Sequence, residues 1–286
     1  MESHPGHVPV GDLSHGAHAA LFYSSRAEQA DVLETFVDSA LHANDRLLYV
    51  SDGDHAERAL KAHGSGGARA LASGQFIVDN WTNTYMADGH FDGKRMLAHY
   101  RAAVADALTE GYSGLRVAAD MGWSHGLKSK DALFSYERVF DGAFENLPAV
   151  VLCQYDTRLF DDEAIAALAN AHAHAAHPDP LYDSLDLRIT RTYQPNGVRA
   201  YGQIDLLSRT AFRDALLRAA ASDEGRMVVD LSAIKYLDAG SVGAIVKAAQ
   251  VAKCSAVEVR VPAHIYKLFE MLQPTLPRAL RVEQAG

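Results

Sequence analysis

Residues 226–252, RMVVDLSAIKYLDAGSVGAIVKAAQVA, decide how the second half of the chain folds. Met227, Val228 and Val229 form a short apolar run closed by Asp230, the pattern of a buried parallel strand. After a short loop, Tyr236 and Leu237 lead into Asp238-Ala239-Gly240-Ser241, and from there Val242, Ile245, Val246 and Ala249 recur at helical spacing. A helix is therefore predicted to begin near Gly240 or Ser241, with Asp238 placed to accept hydrogen bonds from its free first-turn amides. A strand, loop and helix of this kind can present the helix amino end as a recognition surface. It contains neither a nucleophile–base pair nor a glycine–lysine phosphate loop, and the plainer reading is an ordinary βα unit.

Working outward, residues 187–193 and 198–204 alternate around Pro195-Asn196-Gly197, a hairpin signal. A helix over 208–221 follows. Beyond the opening stretch come a strand over 257–261, a helix over 262–271 with proline at its first turn, and a short strand near Leu280. Four or five strands with helices on one side result.

The remainder of the chain has a different rhythm. Strands are predicted at 19–23, 46–50, 75–81, 115–120 and 149–155. Helices are predicted from Ser24-Ser25-Arg26 to about 43, then over 54–63, 91–110, 131–146 and 161–173, with a glycine-rich turn at 64–67. Alternating strands and helices imply a mainly parallel sheet covered on both faces. The chain thus reads as a flexible tail at 1–15, a first domain at 16–178, a linker at 179–186 opened by His177-Pro178-Asp179-Pro180, and a second domain at 187–286. With 286 residues, 48% of them hydrophobic, both domains can bury cores. Net charge is −9, unevenly spread: residues 187–286 hold 14 Lys+Arg against 9 Asp+Glu, the first 186 hold 13 against 27. That acidic part argues against nucleic acid. No run approaches 18 apolar residues and no secretion signal opens the chain, so a cytoplasmic protein without a membrane span is expected. Cys153 and Cys254 read as reduced, buried thiols.

Ligands of parallel sheets bind beyond the strand carboxyl ends. That rule selects Tyr23, Arg26, Glu28 and Gln29 after the first strand, Asp52 after the second, Trp81, then Asp120 with Trp123, and Gln154 with Tyr155. The set is rich in carboxylates and aromatics and has no lysine. SSRAEQ at 24–29 lacks a phosphate-binding loop, and Glu28 would repel phosphate, so no nucleotide cofactor is expected. Asp120 and Trp123 could grip a polar or cationic small molecule or simply cap the sheet. Glu28 with Asp120 suggests an acid–base pair only weakly, and no catalytic residue is assigned. His4, His7 and His15 read as a solvated tail, and His172, His174 and His177 as an exposed helix end, so no metal site is assigned.

Two resemblances follow from particular phrases. HAALFY at 18–23, GLRVAADMGW at 114–123 and VLCQYD at 151–156 resemble the MEDS sensory domain. That resemblance implies a RecA-like core without its phosphate loop, and it marks His18 as the family's leading histidine, in contact with a ligand or anchoring the first strand. VVDLSAIKYLDAGSVGAIV at 228–246, with VRAYGQID at 198–205, resembles the STAS domain of anti-sigma-factor antagonists. It implies docking of a protein partner, an anti-sigma factor of the serine-kinase type, on Asp238, Ala239, Gly240, Ser241 and Val242, and it is compatible with a homodimer. The serine phosphorylated in that family is Ala239 here, so the usual phosphosite is lost and Ser241 is the nearest hydroxyl. The combined expectation is a cytosolic bacterial regulator, a small-molecule sensor joined to a partner-binding output and not an enzyme. The alternative is a nucleotide-binding or hydrolytic enzyme on the RecA-like core.

Overall fold

The computed structural model describes residues 6–52, 64–222, 225–272 and 276–285. They form two compact units, 1–179 and 180–286. The helix expected over 54–63 lies outside the described residues.

In unit 1 seven strands form one sheet: β1 (Gly6–Pro9), β2 (His18–Tyr23), β3 (Arg46–Ser51), β4 (Phe76–Asn80), β5 (Leu115–Asp120), β6 (Ala149–Asp156) and β7 (His174–His177). Their order is β1-β7-β2-β6-β5-β3-β4, and every pairing is parallel. Such a sheet must be covered on both faces, which is why β5 and β6 are buried along their whole length. Helix α1 (Arg26–His42) lays Val32, Phe36 and Val37 over Leu21, Tyr49 and Leu152 on one face. On the other face, α3 (Gly93–Thr109), α4 (Asp131–Phe144) and α5 (Asp162–Asn170) cover Val117, Val151 and Cys153 with Tyr100, Phe140 and Leu168. Side chains alternate along a strand, so Gln154 turns toward α1 while Cys153 and Tyr155 turn toward α4.

Two expectations are corrected here. Residues 6–9, taken as part of a flexible tail, form edge strand β1 against β7, and Val10 just beyond is fully buried. The glycine-rich residues 64–67 begin helix α2 (Gly64–Ser73) rather than a turn.

A buried ion pair ties unit 1 together beneath these layers. Arg116 on β5 donates from Nε to Asp45 Oδ2 at 2.9 Å, and its Nη2 reaches Leu13 O at 3.3 Å. His15 lies 3.0 Å from the second oxygen of the same wholly buried carboxylate.

In unit 2 the order is β13-β12-β11-β10-β9-β8, from β8 (Tyr182–Asp183), β9 (Leu187–Tyr193), β10 (Asn196–Ile204), β11 (Arg226–Leu237), β12 (Ala256–Val261) and β13 (Leu280–Gln284). The β8–β9 and β9–β10 pairs are antiparallel and the others parallel. Helices α6 (Arg209–Ala220), α7 (Ala239–Val251) and α8 (Ala263–Leu272) pack on it through one core that includes Phe212, Leu216, Ile245 and Phe269. The expected hairpin is present, with a tighter turn that starts one residue earlier, at Gln194-Pro195. Strand β11 runs straight through the residues expected as a loop, because Ala233, Ile234, Tyr236 and Leu237 continue to pair with β10 across two register shifts.

Candidate functional site

Three places in the fold are candidates for a functional site, and the first is the expected one at the carboxyl ends of the parallel strands. Tyr23, Arg26, Gln29, Asp120 and Gln154 do converge there. Arg26 Nη1 donates to Tyr23 Oη at 3.1 Å and to Gln29 Oε1 at 2.8 Å, and it lies 3.9 Å from Asp120 Oδ2. Gln29 Nε2 in turn donates to Gln154 Oε1 at 3.0 Å. Burial pushes the Tyr23 phenol well up, and the Asp120 charge adds to it, so it is a neutral donor. Trp81 and Trp123 stack on each other at 6.2 Å between ring centroids, and Asp52 is exposed at the end of β3.

Two residues expected in this group do not join its hydrogen bonds. Glu28 caps its own helix: its amide donates to Ser25 Oγ, and its carboxylate accepts from the Ser24 amide at 2.9 Å. Tyr155 points through the opposite face, where its hydroxyl donates to Glu137 Oε1 at 2.8 Å.

That opposite face holds the second place, a cluster that sequence reasoning missed. His18, the first residue of β2, pairs with Val151, which puts its ring on the same face as Cys153 on β6. Glu137 comes down from α4, and His172 sits just past the end of α5. All four are buried, and one ligand atom from each lies within 4.8 Å of the others. His18 Nε2 is 3.3 Å from Glu137 Oε2 and 3.5 Å from Cys153 Sγ. His172 Nε2 is 3.6 Å and Cys153 Sγ 3.9 Å from that same Glu137 oxygen. Asp141 Oδ1, one helical turn beyond Glu137, lies 3.4 Å from His18 Nδ1.

The electrostatics of the four groups are set by one another. Burial alone would lower the His18 pKa, but the carboxylates of Asp141 and Glu137 outweigh it and hold the value up. Burial would raise the Glu137 pKa, yet His18, His172 and the Tyr155 hydroxyl keep it below the ordinary range. Burial lowers the His172 pKa to about 4, helped by the His18 charge, and raises the Cys153 thiol far above its usual value, as does Glu137. His172 was expected on an exposed helix end beside His174 and His177. Instead α5 stops at Asn170, His172 turns inward, and His174 to His177 form β7. The detectable signal lay in α4. Leu133, Glu137, Phe140 and Phe144 share one buried stripe, so a carboxylate occupies an apolar position.

Beside this cluster a groove of about 520 Å³ opens between α3 and α4, lined by Phe91, Leu97, Tyr136, Val139 and Phe140. Phe140 also packs on the His18 ring at 5.0 Å.

The third place is the start of α7 in unit 2. Asp238 caps the helix, its Oδ1 accepting from the Ser241 amide at 2.7 Å, and its other oxygen pairs with Arg209 of α6. Burial would raise the Asp238 carboxyl, but Arg209 and Ser241 outweigh that and hold it low. A Cβ at Gly240 would come within 2.3 Å of the Arg209 guanidinium carbon, so a side chain there would displace the guanidinium from its present position. Ala239 and Gly243 face solvent, whereas Ser241 and Val242 are buried. Ser241 is therefore corrected as a phosphosite, and Val242 as a surface contact. Exposed Leu206 and Leu207, in the loop leading into Arg209, and half-exposed Tyr236 add apolar surface to this unit.

Fold and sites together define a chain with a doubly covered parallel α/β unit followed by a smaller mixed-sheet unit whose helix amino end is exposed. The first unit matches the family model described as "MEDS: MEthanogen/methylotroph, DcmR Sensory domain" over residues 17–173, and the chain belongs to that family. Residues 187–273 match the model described as "Mlab, STAS domain". A sensory domain followed by a STAS domain places the chain among signalling regulators. A comparison with curated proteins gives no significant match. Among solved structures the chain is similar to flagellar accessory protein FlaH from Methanocaldococcus jannaschii, at 8% identity over 66% of this chain and 86% of that one, TM-score 0.40. It is also similar to the KaiC-like protein PH0186 from Pyrococcus horikoshii OT3, at 8% identity over 65% and 77%, TM-score 0.41. A third similar structure is the RadB recombinase, at 15% identity over 71% and 96%, TM-score 0.39. Among the described residues no helix is long and apolar enough to cross a membrane.

Proposed function

We propose that this chain is a cytosolic bacterial regulator without catalytic turnover, in which unit 1 senses a small molecule and unit 2 binds an anti-sigma factor of the serine-kinase type. The observation that carries the output half is the start of α7. Ala239 is exposed at the first helical position, beside the helix-capping and ion-paired Asp238. A partner docking on a helix amino end meets unsatisfied amides and a partial positive charge. In phosphorylatable relatives a phosphate at this position would add about −2 charge and obstruct docking. Alanine cannot carry one, and the neighbouring hydroxyl of Ser241 is fully buried. Control is then assigned to ligand occupancy of unit 1 or to domain rearrangement. The groove beside Phe91 and Phe140 has the volume and the mainly aromatic and aliphatic wall of a small-molecule pocket.

The test is capture of the anti-sigma factor from the native host by the full chain and by Ala239→Asp. Docking through this surface predicts at least about a tenfold loss of affinity for the variant, because the new carboxylate puts charge and bulk into the contact where a phosphate would obstruct docking. Equal capture by both proteins would remove the surface from consideration.

A further inference from the structure

We infer that His18, Cys153, Glu137 and His172 form a binding site for a divalent transition-metal ion of the zinc class, closed on all four sides by the protein. This goes beyond the sensing reading and does not depend on what unit 2 binds.

The spacing is the first observation. Four ligands held tetrahedrally at typical zinc distances lie roughly 3.3–3.6 Å apart from one another. Of the six pairs, His18 Nε2 and Glu137 Oε2 lie 3.3 Å apart, His18 Nε2 and Cys153 Sγ 3.5 Å, and His172 Nε2 and Glu137 Oε2 3.6 Å, and all six fall within 4.8 Å. The separation of Cys153 Sγ from Glu137 Oε2 is 3.9 Å, a few tenths of an ångström beyond that range.

The second observation concerns hydrogen bonding. His172 Nδ1 lies 2.7 Å from Leu168 O, and a carbonyl only accepts, so that nitrogen carries the hydrogen. Nε2 of this neutral ring is left as a bare lone pair, fully buried and without a partner. It faces a carboxylate oxygen. Two acceptors facing each other in a dry interior repel, unless something positive lies between them.

The third observation is the support behind each ligand. Leu168 O holds the His172 ring, the Asp141 carboxylate stands behind His18 Nδ1, and the Tyr155 hydroxyl occupies the other Glu137 oxygen. Metal-bound imidazoles and carboxylates are oriented in this way by outer hydrogen bonds. A thiolate and a carboxylate with two neutral imidazoles neutralise a 2+ ion, and the S, N and O donors suit zinc or cobalt better than magnesium or calcium. Binding converts the Cys153 thiol to a thiolate and takes the Nε2 proton from the His18 ring, and both protons leave to solvent. With no ligand position left open, the ion would fasten β2, β6, α4 and the end of α5 to one another.

The experiment uses the full-length chain, stripped with chelator and titrated with Co²⁺ alone, then with Zn²⁺ alone. The expected result is intense tetrahedral cobalt absorption with a thiolate-to-cobalt band, displaced by zinc, and a rise in Tm of the stripped chain on adding zinc. Cys153→Ser should abolish the thiolate band, and Asp141→Ala should weaken affinity about 10- to 100-fold. His4→Ala with His7→Ala should leave both signals intact. Absence of the thiolate band and of any Tm shift in the wild-type chain would overturn the inference. So would metal binding that survives Cys153→Ser and His172→Ala unchanged but disappears in the His4/His7 variant. Because the wild-type titration decides by itself, a ligand variant that fails to fold does not blur the outcome.

Discussion

Tyr155 donates its hydroxyl to Glu137 across 2.8 Å, from a strand to a helix, and both side chains are fully buried. A carboxylate in that position needs every donor it can find, because desolvation of a charge costs several kcal/mol. Tyr155→Phe keeps the ring in its packing against Phe160 and Phe22 and removes only the donor. We expect it to destabilise unit 1 by about 1.5–3 kcal/mol, the range for hydrogen bonds to charged groups. Urea unfolding followed by tryptophan fluorescence reports on this unit, since Trp81 and Trp123 both lie in it. An unchanged midpoint would mean that Glu137 does not depend on this bond.

The Arg116–Asp45 pair gives a sharper stability test. Asp45 is wholly buried and answers both Arg116 and His15. Asp45→Ala leaves a guanidinium without its counter-ion in the interior, and the expected loss is about 3–5 kcal/mol. Adding Arg116→Met to Asp45→Ala should recover part of it, since the uncompensated charge is then gone. Chemical denaturation of the two variants measures both steps, and equal stability of single and double variants would exclude this account.

How far the sequence could be read depended on whether an element was specified locally. Strand β5 falls on residues 115–120 and strand β9 on 187–193, as their apolar patterns predict, and Asp238 caps α7 as its position suggests. Local chemistry is enough in these cases. The four-residue cluster was not legible, because His18 and Cys153 meet only through the pairing of β2 with β6, 135 positions apart. AHAHAAH at 171–177 misled for a related reason. Alanine favours helix, but the backbone of β7 is claimed by β1 and β2, and His172 closes the preceding helix through Leu168 O. Tertiary pairing overrode propensity there. Tyr155 and Gln154 were grouped at one strand end although alternation sends them to opposite faces of the sheet.

Asp238 should make the stability of unit 2 depend on acid. Its folded pKa lies below the ordinary carboxylate value, held down by Arg209 and the Ser241 amide against the effect of burial. A lowered pKa means that the contribution is complete above the unfolded value near 4 and is lost as pH falls through the folded value. Asp238→Ala removes the cap as well and should cost about 1 kcal/mol at neutral pH. The gap between wild type and variant should close below about pH 4. Thermal unfolding across pH 3–7 tests the sign: a gap that widens in acid would contradict the Asp238–Arg209 geometry.

The turn after β2 supplies the last prediction. A phosphate there would need free amides at the start of α1, yet the Ser24 amide is bound by the Glu28 carboxylate and the Glu28 amide by Ser25 Oγ. The Glu28 charge lies where a phosphate would have to sit, while Arg26 is directed to Tyr23, Gln29 and Asp120 and Arg158 to Asp156. Like charges at such contact cost several kcal/mol. Titration of the full chain with Mg·ATP should therefore show no binding heat, and no phosphate should be released on prolonged incubation. Glu28→Ala uncovers the Ser24 amide and removes the repelling charge, so any weak nucleotide binding should emerge first in that variant. Saturable ATP binding by the wild-type chain would instead favour the nucleotide-binding reading of this sheet.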